Sequence, residues 1–310
     1  MTVLEEHSST AQSNKVAQEL SFLVTGGAGY IGSNLIKELK QVYPKAKIVS
    51  LDNYSSGSIK NHIDGVEYIN GNTGDINDIV ELKEFSPSHC FHFGEFSRIG
   101  LSFQKTKETF LYNTFGTQQV LEYCINHNTK IIYSSSSAVL DDPDNSPYTW
   151  TKSKNIELIK NYSKWFGLKY IICYFYNVYG KNQISDGDYK TVIGLFQQKF
   201  LQKMSLPVVF PGTQSRKFTY IDDVINGLMM LLRRGDGDHY YLSSDHDVDI
   251  VDLAKAFGGR FHYIDPEFLE RKVSTVPIDN RMTTELGWTT TIDILDYIKK
   301  FISDHENLED

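Results

Sequence analysis

A tyrosine and a lysine four positions apart lie in the stretch SPYTWTKSKNIELIKNYSKW, residues 146–165. On a helix, Tyr148 and Lys152 would share one face, because side chains at positions i and i+4 are neighbours. A phenol with a pKa near ~10 is a poor base at neutral pH, but a nearby ammonium favours the phenolate and lowers that pKa. The pair therefore predicts a catalytic acid/base, with an ordinary amphipathic helix and a surface lysine as the alternative.

Serines lie upstream of this pair, in the stretch IIYSSSSAV at residues 131–139. The apolar residues before them predict a buried strand, which would place the serines at its carboxyl end. In an open α/β sheet, ligands bind at the carboxyl ends of the strands. One of these serines is therefore expected to hydrogen-bond the substrate oxygen whose proton moves.

A glycine-rich turn in FLVTGGAGYIGSNL, residues 22–35, is the strongest local motif. A strand ends at Thr25, glycines follow at positions 26, 29 and 32, and a helix opens, as in the turns that hold a pyrophosphate at a helix N-terminus. Asp52, at the end of the next strand, would accept from both hydroxyls of an adenosine ribose and repel a 2′-phosphate. NAD is therefore predicted as the cofactor rather than NADP, and its positive nicotinamide would further favour the phenolate of Tyr148.

Short apolar runs alternate with longer amphipathic ones along most of the chain. The predicted strands lie at residues 21–27, 46–53, 66–70, 89–94, 129–137 and 168–180, and helical stretches such as 105–126 and 150–166 separate them. Continuous apolar runs are typical of parallel strands covered on both faces. The pattern predicts an α/β fold, a doubly wound parallel sheet of the Rossmann type with a smaller mixed α/β C-terminal substrate lobe.

The domain boundaries are predicted from where this alternation changes. Residues 1–20 are interpreted as an N-terminal extension, because they lack the basic start and apolar core of a signal peptide. Residues 21–180 with 216–250 are predicted to form the cofactor domain, and residues 181–215 with 251–310 the substrate lobe.

Charge and cysteine usage narrow the classes of protein and partner. The net charge of −8 argues against nucleic acid or an anionic membrane as the main partner, and no apolar run approaches the ~20 residues of a membrane span. The three cysteines are widely spaced, which favours free thiols in a reducing cytoplasm over a disulfide framework. His89 and His92 have no further ligand nearby, so no metal site is predicted.

Together these stretches resemble the extended short-chain dehydrogenases/reductases that act as nucleotide-sugar epimerases and dehydratases. The resemblance covers about residues 21–300. The stretches that carry it are VTGGAGYIGSNL, LDN, GDI, HFGEFSRI, YNTFGT, YSSSSAV, YTWTK, YFYNVYG, RKFTYIDDV and ELGW. The resemblance implies a Rossmann fold, NAD, a nucleotide-diphosphate sugar as substrate and a homodimer formed through the helices after the fourth and fifth strands.

The resemblance also implies roles for individual residues. Tyr148 would be the general acid/base, Lys152 its partner and Ser136 the serine that hydrogen-bonds the substrate oxygen, with Ser135 and Ser137 as alternatives for that serine. Asn113 would support the sheet and the active-site backbone. The expected cofactor contacts are Gly26, Gly29, Tyr30, Ile31, Gly32, Asp52, Asn53, Asp75, Ile76, Phe93, Gly94, Tyr148 and Lys152. The expected substrate contacts are Glu95, Ser97, Arg98, Ser136, Ser137, Asn177 and Arg216.

Departures from the family pattern bear on the reaction. Family members that remove water carry Asp-Glu after the serine or threonine, where this chain has Ser137 and Ala138, so dehydration is disfavoured. Ser97 lies near the position of a lysine found in the UDP-galactose type of epimerase. Glu95 is unusual beside the nicotinamide and is interpreted either as a helix-capping carboxylate or as a contact to a substrate hydroxyl.

The reaction predicted from these features is NAD-dependent oxidation at C4 of a nucleotide-diphosphate sugar. The favoured outcome is a 4-dehydrogenase that releases a 4-keto sugar, such as a GDP-heptose for bacterial surface polysaccharide or capsule synthesis, because some stretches resemble enzymes of that sub-group. A 4-epimerase and a 4-keto-sugar reductase are alternatives within the same chemistry. From other classes, a non-catalytic NAD-binding regulator and a scaffold subunit remain open.

Overall fold

The fold is described from a computed structural model, which describes residues 20–266, 277 and 279–306. The predicted N-terminal extension, apart from Leu20, lies outside the described residues. So do parts of the predicted C-terminal lobe, at residues 267–276, 278 and 307–310. In the part of the chain that the structure describes, no helix is long and apolar enough to cross a membrane.

The described chain alternates strands and helices as the apolar runs predict. The strands are β1 Ser21–Thr25, β2 Lys47–Asp52, β3 Glu67–Asn70, β4 His89–His92, β5 Lys130–Ser136, β6 Tyr170–Phe175, β7 Asn177–Tyr179, β8 Leu206–Val209, β9 Ser215–Tyr220, β10 Gly237–Leu242, β11 Asp247–Asp249 and β12 Phe261–Ile264. The α-helices are α1 Tyr30–Val42, α2 Val80–Lys83, α3 Ile99–Gln104, α4 Thr106–Thr109, α5 Gly116–Asn126, α6 Ala138–Asp141, α7 Pro147–Phe166, α8 Val192–Leu201, α9 Ile221–Arg234, α10 Ile250–Ala256, α11 Arg281–Thr284 and α12 Ile294–Glu306.

Seven parallel strands form the main sheet, in the order β10-β6-β5-β4-β1-β2-β3. The chain reverses its direction of winding between β1 and β4, and in such sheets the crevice at the carboxyl ends of the two strands is the usual ligand site. The predicted doubly wound Rossmann sheet is therefore confirmed.

The two faces of this sheet carry separate hydrophobic cores. Along β1, Phe22 and Val24 pack into one cluster of buried side chains, and Leu23 packs into the other. All three side chains are fully buried. Because successive strand residues point to opposite faces, a continuous apolar run fills the helix layers on both sides. The two cores cover both faces of the sheet, and direct pairing holds β1, β4 and β5 in parallel register.

Two predicted elements are interrupted in the structure. The predicted strand at residues 168–180 is two strands, because β6 stays in the main sheet while β7 pairs with β9 in a second sheet of order β11-β9-β7. The predicted helix at residues 105–126 contains a π-helical turn, Phe110–Phe115, between α4 and α5. Such turns often occur at functional sites, and this one carries Asn113.

Two small sheets complete the described fold. Besides the sheet of β7, β9 and β11, strands β8 and β12 form a two-stranded parallel sheet. Strand β10 belongs to the main sheet, whereas β9 belongs to the three-stranded one. The chain thus crosses between the main sheet and the small sheets more than once, and the exact domain boundaries stay a prediction.

Candidate active site

The turn between β1 and α1 requires glycine at two positions. Gly26 has a φ of +72°, and a Cβ there would lie 2.8 Å from the carbonyl carbon of Phe93. A Cβ on Gly32 would lie 2.2 Å from the carbonyl oxygen of Gly26. Helix α1 begins at Tyr30, and its first-turn N–H groups have no partner within the helix. Such a turn, with free amides at a helix N-terminus, fits a pyrophosphate.

Asp52 lies at the carboxyl end of β2, next to this turn. Its Oδ2 accepts from the N–H of Ala28 at 2.9 Å and its Oδ1 from the N–H of Tyr54 at 2.8 Å. Burial raises the pKa of this carboxyl, and the backbone hydrogen bonds act in the opposite direction. Each carboxylate oxygen can accept a further hydrogen bond, so the residue fits a ribose diol and, with the glycine turn, a bound NAD.

Tyr148 and Lys152 are placed by the first turns of α7. Ser146 caps the helix in a capping box with Thr149, Pro147 occupies the first turn, and Gly167 ends the helix with a φ of +73°. These are standard helix start and stop signals. The Tyr148 and Lys152 side chains lie one turn apart on the cavity wall and are almost fully buried.

The serines at the end of β5 lie beside this pair. The Ser136 hydroxyl accepts from the N–H of Ala138 at 3.2 Å, and the carbonyl oxygen of Ser134 accepts from Lys152 Nζ at 2.6 Å. Among the described residues, the buried hydroxyl of Ser135 has no hydrogen-bond partner. All three serines and Ser137 line the same cavity, so the structure brings the predicted serine cluster to the tyrosine and the lysine.

Glu95 is placed differently from its two predicted roles. Its carboxylate is buried and accepts from Lys152 Nζ at 2.5 Å. Three neutral donors, from Thr117, Tyr133 and Asn155, contact the other carboxylate oxygen at 2.9 to 3.2 Å. Since four donors already surround the carboxylate, the geometry favours neither a helix cap nor the predicted contact to a substrate hydroxyl.

Three of the predicted substrate residues, Arg98, Asn177 and Arg216, line the same cavity. Arg98 donates to the carbonyl oxygens of Ser97 and Tyr189, and burial lowers its pKa. Asn177, on β7, donates to the carbonyl of Lys217 at 2.8 Å. Arg216, on β9, donates to the carbonyl of Ser215 at 2.9 Å.

A single cavity of about 810 Å³ joins the glycine turn, Asp52, the catalytic candidates and the predicted substrate residues. Asp75 and Ile76 are the two predicted site residues that do not line it. Ile76 is fully buried in the hydrophobic core, and Asp75 accepts a long hydrogen bond from Asn72. Thr73, at the start of the same 3₁₀ turn, lines the cavity instead. The lining therefore does not support the predicted adenine contact of Asp75 and Ile76.

Several residues that line the cavity were not among the predicted site residues. Lys190 and Gln214, from the segments around the small sheets, line the cavity, and the buried Gln214 Oε1 has no partner among the described residues. Tyr176, between β6 and β7, also lines it. Lys190 ends the stretch KNQISDGDYK, whose composition carries no distinctive signal, whereas Tyr176 lies in YFYNVYG, a stretch that carries the family resemblance and could have pointed to it.

Asn113 stabilises the backbone after β4. Its Oδ1 accepts from the N–H of Phe96 at 2.6 Å, and its Nδ2 donates to the carbonyl of Phe96 at 3.2 Å and to Thr151 at 3.0 Å. The π-helical turn brings this side chain between the loop after β4 and helix α7. The contact agrees with the predicted support of the active-site backbone.

The fold and the site together define an extended short-chain dehydrogenase/reductase. The chain matches the NAD dependent epimerase/dehydratase family over residues 22–243, and it therefore belongs to that family. The predicted family, the enzyme class and the use of NAD are confirmed at this level.

Individual relatives agree with this assignment. The chain is 29% identical over 302 residues to a putative UDP-glucose 4-epimerase of Methanocaldococcus jannaschii, with 91% of this chain and 97% of the relative covered. The solved UDP-glucose 4-epimerase of Thermotoga maritima, with UDP-glucose, has a TM-score of 0.84 at 22% identity over 94% of this chain and 100% of its own. The NAD complex of the UDP-glucose 4-epimerase of Thermus thermophilus has a TM-score of 0.81 at 21% identity, over 92% and 98% of the two chains. The two solved structures share the fold.

Proposed function

We propose that this enzyme oxidises C4 of a nucleotide-diphosphate sugar. The observation that carries the proposal is the meeting of Tyr148, Lys152 and the serine cluster in one cavity with the glycine turn and Asp52. When bound, NAD supplies the acceptor for the hydride from C4. Tyr148, as phenolate, takes the proton of the sugar hydroxyl as the carbonyl forms, Ser136 hydrogen-bonds that oxygen, and Lys152 stabilises the phenolate.

Two outcomes of this half-reaction are proposed as alternatives. In an epimerase, the 4-keto sugar is reduced again on its opposite face, an activity supported by the relative named as a UDP-glucose 4-epimerase. In a 4-dehydrogenase, the keto sugar leaves, an outcome supported by Ser97 near the position of the epimerase lysine. Dehydration is disfavoured, because Ser137 and Ala138 line the cavity where an acid/base pair would be required.

A substrate panel tests the proposal. The purified protein is mixed with NAD and separately with UDP-, dTDP- and GDP-linked hexoses and with a GDP-heptose, and the nicotinamide absorbance is followed while the sugars are analysed. Build-up of reduced cofactor with a keto product is the result expected of a dehydrogenase. A changed sugar without net reduced cofactor is the result expected of an epimerase. If no sugar changes in any sample, with NAD or with NADH, the proposed function is wrong.

We also propose that the enzyme is a homodimer whose interface includes α7 and the π-helical turn before α5. Phe110, Leu111 and Phe115 are each at least 40% exposed in that turn, and the ring of Trp150 on α7 lies 5.5 Å from that of Phe110. Exposed apolar side chains that lie together often mark a protein interface. A cytoplasmic location is proposed as well, since Cys90, Cys124 and Cys173 are buried free thiols.

The variant Phe110→Glu is expected to convert the dimer to a monomer, because it places a charge in the apolar interface. Sedimentation velocity at micromolar concentration measures the change in mass. Ile59→Glu is the matched control, since Ile59 is 72% exposed in a separate 3₁₀ turn and is expected to leave the mass unchanged. A wild-type protein that sediments as a monomer would contradict the proposed dimer.

A further inference from the structure

The carboxylate of Glu95 and the ammonium of Lys152, two residues that line the cavity, form a buried ion pair. Their side chains are 1% and 6% exposed, and the two charged atoms lie 2.5 Å apart. A buried carboxylate is costly unless it is paired and hydrogen-bonded. Here the pair joins Lys152, the proposed partner of the catalytic tyrosine, to a residue that lies 57 positions earlier in the chain.

A directed chain of hydrogen bonds ends on this carboxylate. The Thr25 hydroxyl oxygen accepts from two backbone amides and therefore donates its own proton to His92 Nδ1, at 2.7 Å. Burial and the positive charge of Lys152 lower the pKa of His92 to about 3, so the ring is neutral and has one N–H. That N–H lies on Nε2 and donates to Thr117, whose hydroxyl donates to Glu95.

The other neighbours of Glu95 are donors as well. Asn155 Nδ2 donates at 2.9 Å, and the Tyr133 hydroxyl lies at 3.2 Å. Burial raises the pKa of Glu95, and Lys152 with the surrounding hydrogen bonds acts in the opposite direction. Because Lys152, Asn155 and Thr117 donate to the carboxylate and the Tyr133 hydroxyl can donate as well, the network accommodates the ionised carboxylate.

The ion pair determines which hydrogen-bond donors of Lys152 remain available. An ammonium has three donors, and two of them go to Glu95 and to the carbonyl of Ser134. The third remains for the cavity, where Lys152 lies one helical turn from Tyr148. We infer that Glu95 is a positioning residue, which holds the third donor of Lys152 towards the cofactor and the catalytic phenol and offsets the lysine's charge. The inference rests on the proposed function of this site.

The histidine, tyrosine and cysteine that interact with the pair carry no charge near neutral pH. His92 is neutral, and burial raises the pKa of Tyr133 and of Cys173, so both stay protonated. Arg98, which also lines the cavity, is a cation that interacts with Tyr148. The charge of Glu95 is therefore the nearest negative charge that opposes Lys152 among the described residues, and its removal is expected to have a measurable electrostatic effect.

The test is the pH dependence of kcat/KM and of NADH affinity in Glu95→Gln. The substitution keeps the shape of the side chain and removes its charge, which makes the site more positive. A more positive site disfavours the protonated form of the titratable groups in it. We expect the acidic and the basic limbs of the kcat/KM profile to move to lower pH, the basic limb by ~1–3 pH units. NADH affinity is expected to fall at a correspondingly lower pH.

Two further variants separate electrostatics from packing. Tyr133→Phe removes one neutral donor to Glu95 and keeps the ring that lies 4.9 Å from Lys152 Nζ, so it is expected to leave both limbs in place. Glu95→Asp keeps the negative charge but places it farther from Lys152, because the side chain is one methylene shorter. The limbs of the kcat/KM profile are therefore expected to shift in the same direction by less. If Glu95→Gln does not fold, the test is made with Glu95→Asp. A kcat/KM pH profile of that variant that matches wild type would contradict the inference.

The outcomes for Glu95 and for the proposed function are distinguishable. Unshifted profiles in Glu95→Gln, or equal shifts in Tyr133→Phe, would overturn the positioning role even if the enzyme oxidises a sugar. If no sugar reacts, the proposed function fails, but the pH dependence of NADH binding still reports on Lys152. A shift of that dependence in Glu95→Gln alone would support the role of Glu95 without any turnover.

Discussion

Tyr148→Phe is expected to lower kcat by a factor of about 10²–10⁴, the usual contribution of a positioned general acid/base. The phenylalanine ring fills the same space on the wall of the cavity, and only the hydroxyl that exchanges the proton is lost. The N–H of residue 148, which donates to the Ser102 hydroxyl at 3.2 Å, is unaffected by the change. NAD affinity is therefore expected to stay within a few-fold of wild type.

Steady-state turnover of the substrate found in the panel, together with NADH titration, measures the two quantities separately. Tyr112→Phe is the matched control, because Tyr112 also lines the cavity but lies on the π-helical turn rather than beside Lys152. Its kcat is expected to change less than ~3-fold. A Tyr148→Phe enzyme that keeps most of its turnover would show that another group transfers the proton.

The fold and the cofactor turn could be predicted because their signals are local. Continuous apolar runs give the parallel strands directly, since each strand is covered on both faces. The glycines at positions 26 and 32 are required by contacts within the turn itself or with the adjacent end of β4. Tyr148 and Lys152 share a helix face because the residues that start and end the helix, Ser146 and Gly167, lie in the same stretch of sequence.

The environment of Glu95 could not be predicted, because it depends on contacts between distant parts of the chain. Its donors come from α5, β5 and α7, and the sequence separations are 22, 38, 57 and 60 residues. No local pattern tells that the side chain after Gly94 pairs with Lys152 and accepts from three further donors. The break between β6 and β7 was missed for a similar reason, since a pairing of β7 with β9 moves it out of the main sheet.

Removal of the lysine is the second large expected effect. Lys152→Met replaces the ammonium by an apolar side chain of similar length and leaves the carboxylate of Glu95 buried without its counter-ion. Breaking a buried ion pair by removal of one partner costs about 3–5 kcal/mol of the free energy of unfolding. We expect a loss of this size for Lys152→Met at pH 7.5, measured by urea unfolding, besides a loss of turnover.

The pH dependence of this loss identifies its cause. Burial already raises the pKa of Glu95, and the loss of Lys152 raises it further, so in the variant the folded state binds a proton that the unfolded state has released. The destabilisation is therefore largest above the folded-state pKa and disappears as the pH falls towards ~4.3, the value of an unfolded glutamate. The difference from wild type is expected to shrink between pH 8 and pH 5.

The double variant Lys152→Met/Glu95→Gln supplies the control for packing. With both charges gone, most of the lost stability is expected to return, and the remaining difference from wild type should no longer depend on pH. The coupling energy of the four proteins in this cycle then isolates the ion pair from the cavity and side-chain effects of each single change. If the double variant is as unstable as Lys152→Met, the methylenes of the lysine and not its charge stabilise this part of the fold, and Glu95 is buried there as a protonated acid.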